Sequence, residues 1–163
     1  MVSIQNALWT DSATSEVTVN IFTVYALHVV NGYPLESDVM RTAPEFAWKT
    51  YDEHRASGKK YEDVGGPFPR LQMYALLWHE FGFDAFHETF DRIRAIPEHA
   101  RPKNTDQERQ TFLTHFSETV ALNLVQYFDD WGINVDDATR SRLEPLPTWT
   151  PKPPTPANDD DAE

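Results

Sequence analysis

Apolar residues recur along this chain at helical spacing rather than in alternation. From position 13 to 30 the run carries Val17, Val19, Ile21, Phe22, Val24, Tyr25, Leu27 and Val29 and leaves almost no polar face. It stops before Asn31-Gly32-Tyr33-Pro34. A helix apolar on nearly all sides is normally buried, so a buried first helix is expected over 13–30. Thr42-Ala43-Pro44-Glu45 has capping-box spacing with a proline in the first turn. It predicts a second helix that runs to Gly58. Gly65-Gly66-Pro67-Phe68-Pro69 reads as a loop. A third helix is expected over 70–81, ended by Gly82, and a fourth from the cap Asp84 to about 95, before Pro97.

Thr105-Asp106-Gln107-Glu108 is a second capping box. Phe112, Phe116, Val120, Leu124 and Phe128 then recur near helical spacing up to Trp131-Gly132, which predicts one long fifth helix. A short sixth is expected from about Asp136 to Glu144. Neither strand alternation nor an internal repeat is visible. The pattern therefore predicts an all-α fold of five to six helices over 1–149. The remainder, 150–163, reads as a Pro-rich linker through Thr150-Pro151-Lys152-Pro153-Pro154-Thr155-Pro156 and an acidic, disordered end.

Composition agrees with a folded domain. Of 163 residues, 40% are hydrophobic and 13% aromatic, enough to build a core. The formal net charge is −12, with no basic stripe. Such a surface repels phosphate backbones, which argues against nucleic-acid binding. There is no cysteine, so disulfides and thiolate metal sites are excluded. The N-terminal residues show neither the basic nor the apolar region of a signal peptide. The longest apolar stretch is broken by Asn20, Thr23 and His28 and is too short and polar for a membrane span. None of this fixes the compartment.

One feature of the first helix is chemical rather than structural. Glu16, Asn20 and Thr23 fall at i, i+4 and i+7, on one stripe of an otherwise apolar helix. Polar groups on a buried helix need partners, and a metal ion or a substrate cleft would supply them. Equally, Glu16 in a first turn favours the helix dipole, and Asn20 and Thr23 could face a solvent-filled groove. Periodicity leaves both readings open. Elsewhere, His79-Glu80-Phe81-Gly82-Phe83 falls one residue short of H-E-x-x-H, because Phe83 stands where the second histidine would be. His87-Glu88 with Asp91, and His115 with Glu118, read as helix-surface groupings. No Ser-His-Asp arrangement, phosphate loop or dinucleotide fingerprint is present.

The run from Trp9 through Glu16-Val17-Thr18-Val19-Asn20-Ile21 to Tyr25 resembles a segment of the enhancin-like, mucin-degrading zinc metallopeptidases, the M60 family. Members read W, a short polar turn, then E-V-T-x-N-I, after their zinc motif. Arg70 to Trp78 and Phe81-Gly82-Phe83-Asp84-Ala85-Phe86 resemble the next block, and Phe116-Ser117-Glu118 with Leu124, Phe128 and Trp131-Gly132 the last helix. The resemblance spans about 5 to 149. It implies the C-terminal helical subdomain of a gluzincin-like peptidase domain. By it, Glu16 matches the third zinc ligand, while Asn20 and Thr23 match site-lining positions.

The two histidine ligands and the general-base glutamate of H-E-x-x-H have no counterpart in the chain. Hence no catalytic residue is expected here, and no zinc bound by this chain alone. The family implies zinc when complete, a glycoprotein or peptide substrate, and a secreted or surface-exposed setting. It also implies a complementing upstream fragment as partner. The alternative functional reading is a non-catalytic helical module that binds a partner or a glycan. A third is an acidic helical protein with neither role.

Overall fold

The computed structural model describes residues 15–34 and 41–155, except for the side chains of Ser15, Glu16 and Thr18. Six α-helices account for most of them: α1 (Ser15–Val29), α2 (Pro44–Ser57), α3 (Pro67–Arg94), α4 (Thr105–Val120), α5 (Val125–Asp130) and α6 (Asp137–Leu143). Two short 3-10 turns, Tyr61–Asp63 and Glu98–Ala100, lie between them. No strand occurs among the described residues; a single parallel bridge joins Asn123 to Thr148. The all-α expectation holds.

The architecture is built around α3. Helices α1, α2 and α4 all pack against it, α5 packs on α2 and α6 on α4. Every residue from Leu71 to Trp78 is buried, so this stretch is the helix covered on all sides. Aromatic rings fill the space between α3, α4 and α5. Phe86 meets Phe116 edge-on at 5.0 Å, and Phe112 lies 5.4 Å from Phe116. Edge-to-face and tilted pairs of this kind add about 0.5–1.5 kcal/mol beyond their buried area.

Three local expectations need correction. Helix α3 begins at Pro67, not at 70, because proline lacks only a backbone donor that the first turn would leave unpaired anyway. It runs to Arg94 with a break at Gly82 (φ 74°, ψ 170°), and Asp84 falls inside the resumed helix rather than capping it. The expected long helix over 105–131 is two. Ala121 takes a left-handed conformation (φ 55°), and Leu122 N–H turns back to the Ser117 carbonyl at 3.0 Å. Asn123 then holds the corner: its Oδ1 accepts from Val125 N–H at 2.9 Å, and its Nδ2 donates to the Leu143 carbonyl at 3.0 Å.

The caps also shift. Asn104, not Thr105, caps α4 by accepting from Gln107 N–H at 2.9 Å; Gln107 Oε1 in turn accepts from Lys103 N–H at 2.8 Å. The α2 cap position is Ala43, with no side-chain bond, and Thr42 is buried instead. Asp136 caps α6 as expected, accepting from Thr139 N–H at 2.7 Å. Residues 150–155 carry no regular structure, and the acidic end of the chain lies outside the described residues.

Candidate functional site

The candidate stripe sits on α1, so its geometry follows from how α1 is seated. Val17, Ile21 and Val24 are buried and form the inward edge. Along the same seam Tyr25 meets Phe83 edge-on at 5.3 Å and His87 at 4.9 Å, and Phe22 lies 6.0 Å from Phe90. These contacts are all with α3. Away from that edge, Val19, Phe22 and Val29 are exposed. The expectation of a helix buried all round is therefore corrected to one buried along a single edge. Among the described helices, only α3 packs extensively against it.

Glu16 lies in the first turn of α1, and its side chain is outside the described residues. Asn20 is half-buried and Thr23 exposed. The Thr23 hydroxyl donates back to the Val19 carbonyl at 3.4 Å, a local bond within the helix. Helical spacing puts positions 16, 20 and 23 along one flank of α1, beside the buried edge of Val17, Ile21 and Val24. A surface hollow elsewhere, lined by Asn123, Val125, Arg140, Ser141, Glu144 and Thr148, includes none of them.

Could this chain hold zinc? Among the described residues no three His, Asp or Glu side chains are grouped so as to bind a metal ion. A catalytic zinc site needs three protein ligands and an open position. The stripe offers one carboxylate, an amide and a hydroxyl, which do not fit a zinc site by themselves.

The near-motif at His79 is structural. Its Nε2–H donates to the Thr42 carbonyl at 2.7 Å, tying α3 to the start of α2. Gly82 interrupts the helix between positions 79 and 83. Phe83 stacks on Trp78 at 5.5 Å. Of the other groupings, Glu88 is bonded to Arg92 at 2.9 Å and Asp91 to Arg94 at 2.6 Å. Glu118 accepts from Arg142 Nε at 2.7 Å while lying 3.9 Å from His115.

Sequence reading missed the polar groups that tie the core together. Arg109 is buried, donates to the Glu62 carboxylate and lies 5.1 Å over the Tyr61 ring. Burial works to raise the Glu62 carboxyl, but the Arg109 bond helps outweigh it and hold it below its ordinary value. The Tyr51 hydroxyl donates to Asp130 at 2.5 Å, and burial first, then that carboxylate, push its ionisation well up. These pairs span 47 and 79 positions, so no local pattern signals them.

Comparison with known proteins places the chain. The solved structure of a functionally unknown conserved protein from Bacillus anthracis superposes with a TM-score of 0.69 at 26% identity, over 89% of this chain and 29% of that one. A TRPM8 channel-associated factor homolog of Xenopus laevis is 28% identical over 141 residues, 86% of this chain and 15% of that protein. TRPM8 channel-associated factor 3 of Mus musculus is 27% identical, over 91% of this chain and 16% of its own length. The chain thus spans about 15% of the length of the curated relatives it matches. No helix among the described residues is long and apolar enough to cross a membrane. The model for peptidase M60, enhancin and enhancin-like, matches residues 3–132, most of the sequence and all of α1 to α5, and the chain belongs to that family.

Proposed function

We propose that this chain supplies the C-terminal helical part of an M60-type zinc peptidase domain, contributes Glu16 to the metal, and cleaves no peptide by itself. The family match covers the E-V-T-V-N-I run, which by resemblance carries the third ligand, and so supports the reading. The 163 residues contain no H-E-x-x-H. One carboxylate supplies neither the three ligands zinc needs nor a base to take the proton of its water. The two imidazoles and the base then come from an H-E-x-x-H segment, in the same polypeptide or as a complementing fragment. The substrate is a glycoprotein or mucin peptide, with Asn20 and Thr23 lining its cleft. Residues 150–163 act as a linker and acidic tail rather than as part of this unit.

Metal content and peptidase assays test this. The chain alone should carry substoichiometric zinc and show no cleavage. Joined to an M60 H-E-x-x-H segment it should gain stoichiometric zinc, and Glu16→Ala should remove zinc and activity together. Stoichiometric zinc in the unextended chain that survives Glu16→Ala would sink the proposal.

A second reading has its own support. The curated relatives are named for association with the TRPM8 channel, not for proteolysis. On that reading the chain is a non-catalytic helical module that binds a partner or glycan. Partner binding that is indifferent to Glu16→Ala, with no zinc gained on joining the segment, would favour it.

A further inference from the structure

We propose that Asn31 is a site of spontaneous covalent modification. Its side-chain amide is converted to a carboxylate, mostly as isoaspartate, and the conversion undoes the cap that ends α1. Asn31 is the only asparagine in the sequence followed by glycine. Both residues are exposed, in the turn just after α1. A β-carbon on Gly32 would meet nothing within 4 Å, so the space beside its α-carbon is empty. With no side chain of its own, Gly32 presents the least hindered backbone nitrogen that any residue can offer to the amide before it.

The step is an intramolecular attack. The Gly32 backbone nitrogen adds to the side-chain carbonyl carbon of Asn31, Cγ, and gives up its proton. The Cγ–Nδ2 bond breaks, and the amide nitrogen leaves as ammonia. The product is a cyclic succinimide in which Cγ is joined to the Gly32 nitrogen. Water then opens the ring. Where the bond from that nitrogen to Cγ breaks, residue 31 becomes aspartate. Where its bond to the main-chain carbonyl carbon of residue 31 breaks, the chain runs on through Cγ, and the residue becomes isoaspartate. Neither route needs an oxidant, a metal or an enzyme, and each adds one negative charge.

The fold sets the rate. Gly32 N–H donates to the His28 carbonyl at 3.1 Å, and Tyr33 N–H to the Leu27 carbonyl at 3.1 Å. His28 clamps the turn again, its Nδ1–H donating to the Tyr33 carbonyl at 2.8 Å. With Gly32 at φ 71°, these bonds make the left-handed glycine stop that commonly ends a helix. The attacking nitrogen is thus held on a carbonyl, and the turn must open before it reaches Cγ. Isoaspartate inserts an extra backbone carbon between residues 31 and 32, so the three bonds cannot all re-form. A new carboxylate at a helix C-terminus is also unfavourable. Conversion therefore holds the end of α1 open. Two other asparagines are protected by their own bonds. Asn104 Oδ1 accepts from Gln107 N–H, and both ends of the Asn123 amide are engaged. None of this rests on the zinc reading.

Incubation of the full chain at neutral pH tests it, with peptide mapping that resolves aspartate from isoaspartate. Asn31 should convert well ahead of Asn104 and Asn123, with isoaspartate the major product. His28→Ala removes one clamp and should speed conversion by up to about tenfold. In urea the parent should convert faster than in the fold. That comparison reads the same gate should His28→Ala lose its circular dichroism. The converted chain, separated by ion exchange through its added charge, should have lost hydrogen-exchange protection at the Gly32 and Tyr33 amides while keeping its helical content. Asn31→Gln should abolish conversion at this position. An intact Asn31 beside a converted Asn104 or Asn123 would overturn the proposal, as would aspartate without isoaspartate. Equal rates in the fold and in urea would remove the gate, and protection retained after conversion would remove its effect on the cap; either result sinks the proposal as stated.

Discussion

The backbone of Gly132 passes so close to Lys59 that a β-carbon at position 132 would lie 2.2 Å from the Lys59 carbonyl oxygen. The neighbouring contact, 2.8 Å to the Lys60 α-carbon, is also backbone and cannot swing aside. The approach joins the end of α5 to the loop after α2. Beside it, His54 donates from Nε2 to the Trp131 carbonyl at 3.0 Å and stacks on the Trp131 ring at 5.2 Å. Gly132 also has φ +72°, a conformation L side chains rarely adopt. Gly132→Ala should therefore destabilise the fold by about 2–4 kcal/mol, the backbone penalty plus overpacking. Gly65→Ala has open space and no positive φ, and should stay within about 0.5 kcal/mol of the parent. Urea unfolding distinguishes them; two equally mild variants would mean that the close approach is not made.

Arg109 should matter more to stability than an exposed ion pair would. Its guanidinium is buried over Tyr61, while half of the Glu62 side chain remains in water. Arg109→Met keeps the stem and removes the charge, with an expected cost of about 1–3 kcal/mol. The pair also carries a pH dependence. The Glu62 carboxyl titrates below its ordinary value of 4.5 in the fold, so its stabilisation is present above 4.5 and lost as pH falls below it. The gap in stability between parent and Arg109→Met should then narrow on acidification. A constant gap from neutral to strongly acidic pH would show that Glu62 is not the partner that counts.

Local signals explain what could be read from the sequence. Asp136 caps α6 and Gly82 breaks α3 because both effects act within a few residues. The break at Ala121 was illegible for the opposite reason. The aromatic spacing from Phe112 to Phe128 continues across it, and alanine gives no warning of a left-handed turn. The apolar run of α1 looked like burial on all sides, yet burial depends on how many neighbours arrive, and that is a tertiary fact. The Glu16, Asn20 and Thr23 stripe was visible from spacing. What the helix faces was not, and the Glu62–Arg109 and Tyr51–Asp130 pairs lie beyond any local window.

His115 is expected to make the fold weaken below neutral pH. Burial is the main cause that lowers its titration, and Arg142 and Arg92 add to it, while Glu118 opposes them. Its Nδ1 lies 3.9 Å from one Glu118 oxygen, and the other is taken by Arg142. The folded value lies below the ordinary 6.5, so the neutral form's contribution is whole above 6.5 and is lost as pH falls through the folded value. His115→Gln should remove that part of the slope. Arg142→Gln should raise the His115 titration seen by NMR, because a repelling cation and a competitor for Glu118 both leave. A downward movement would contradict this account.

His79 supplies a control that separates structure from metal chemistry. In sequence it opens the near-motif, but in the fold its Nε2–H holds the Thr42 carbonyl across 37 positions, and a helix break precedes Phe83. Removing a half-buried donor from a carbonyl costs about 1–2 kcal/mol. His79→Ala should therefore lower stability by that amount, and His79→Gln, which keeps an N–H donor of similar reach, should recover part of it. Neither change should alter zinc content or activity in the protein joined to an H-E-x-x-H segment, because the ring is spent on the Thr42 carbonyl just before α2. Mass spectrometry of the native protein reads the metal, and urea unfolding reads the fold. Zinc lost on His79→Ala with stability unchanged would make His79 a ligand and would remove the reason for assigning that role to Glu16.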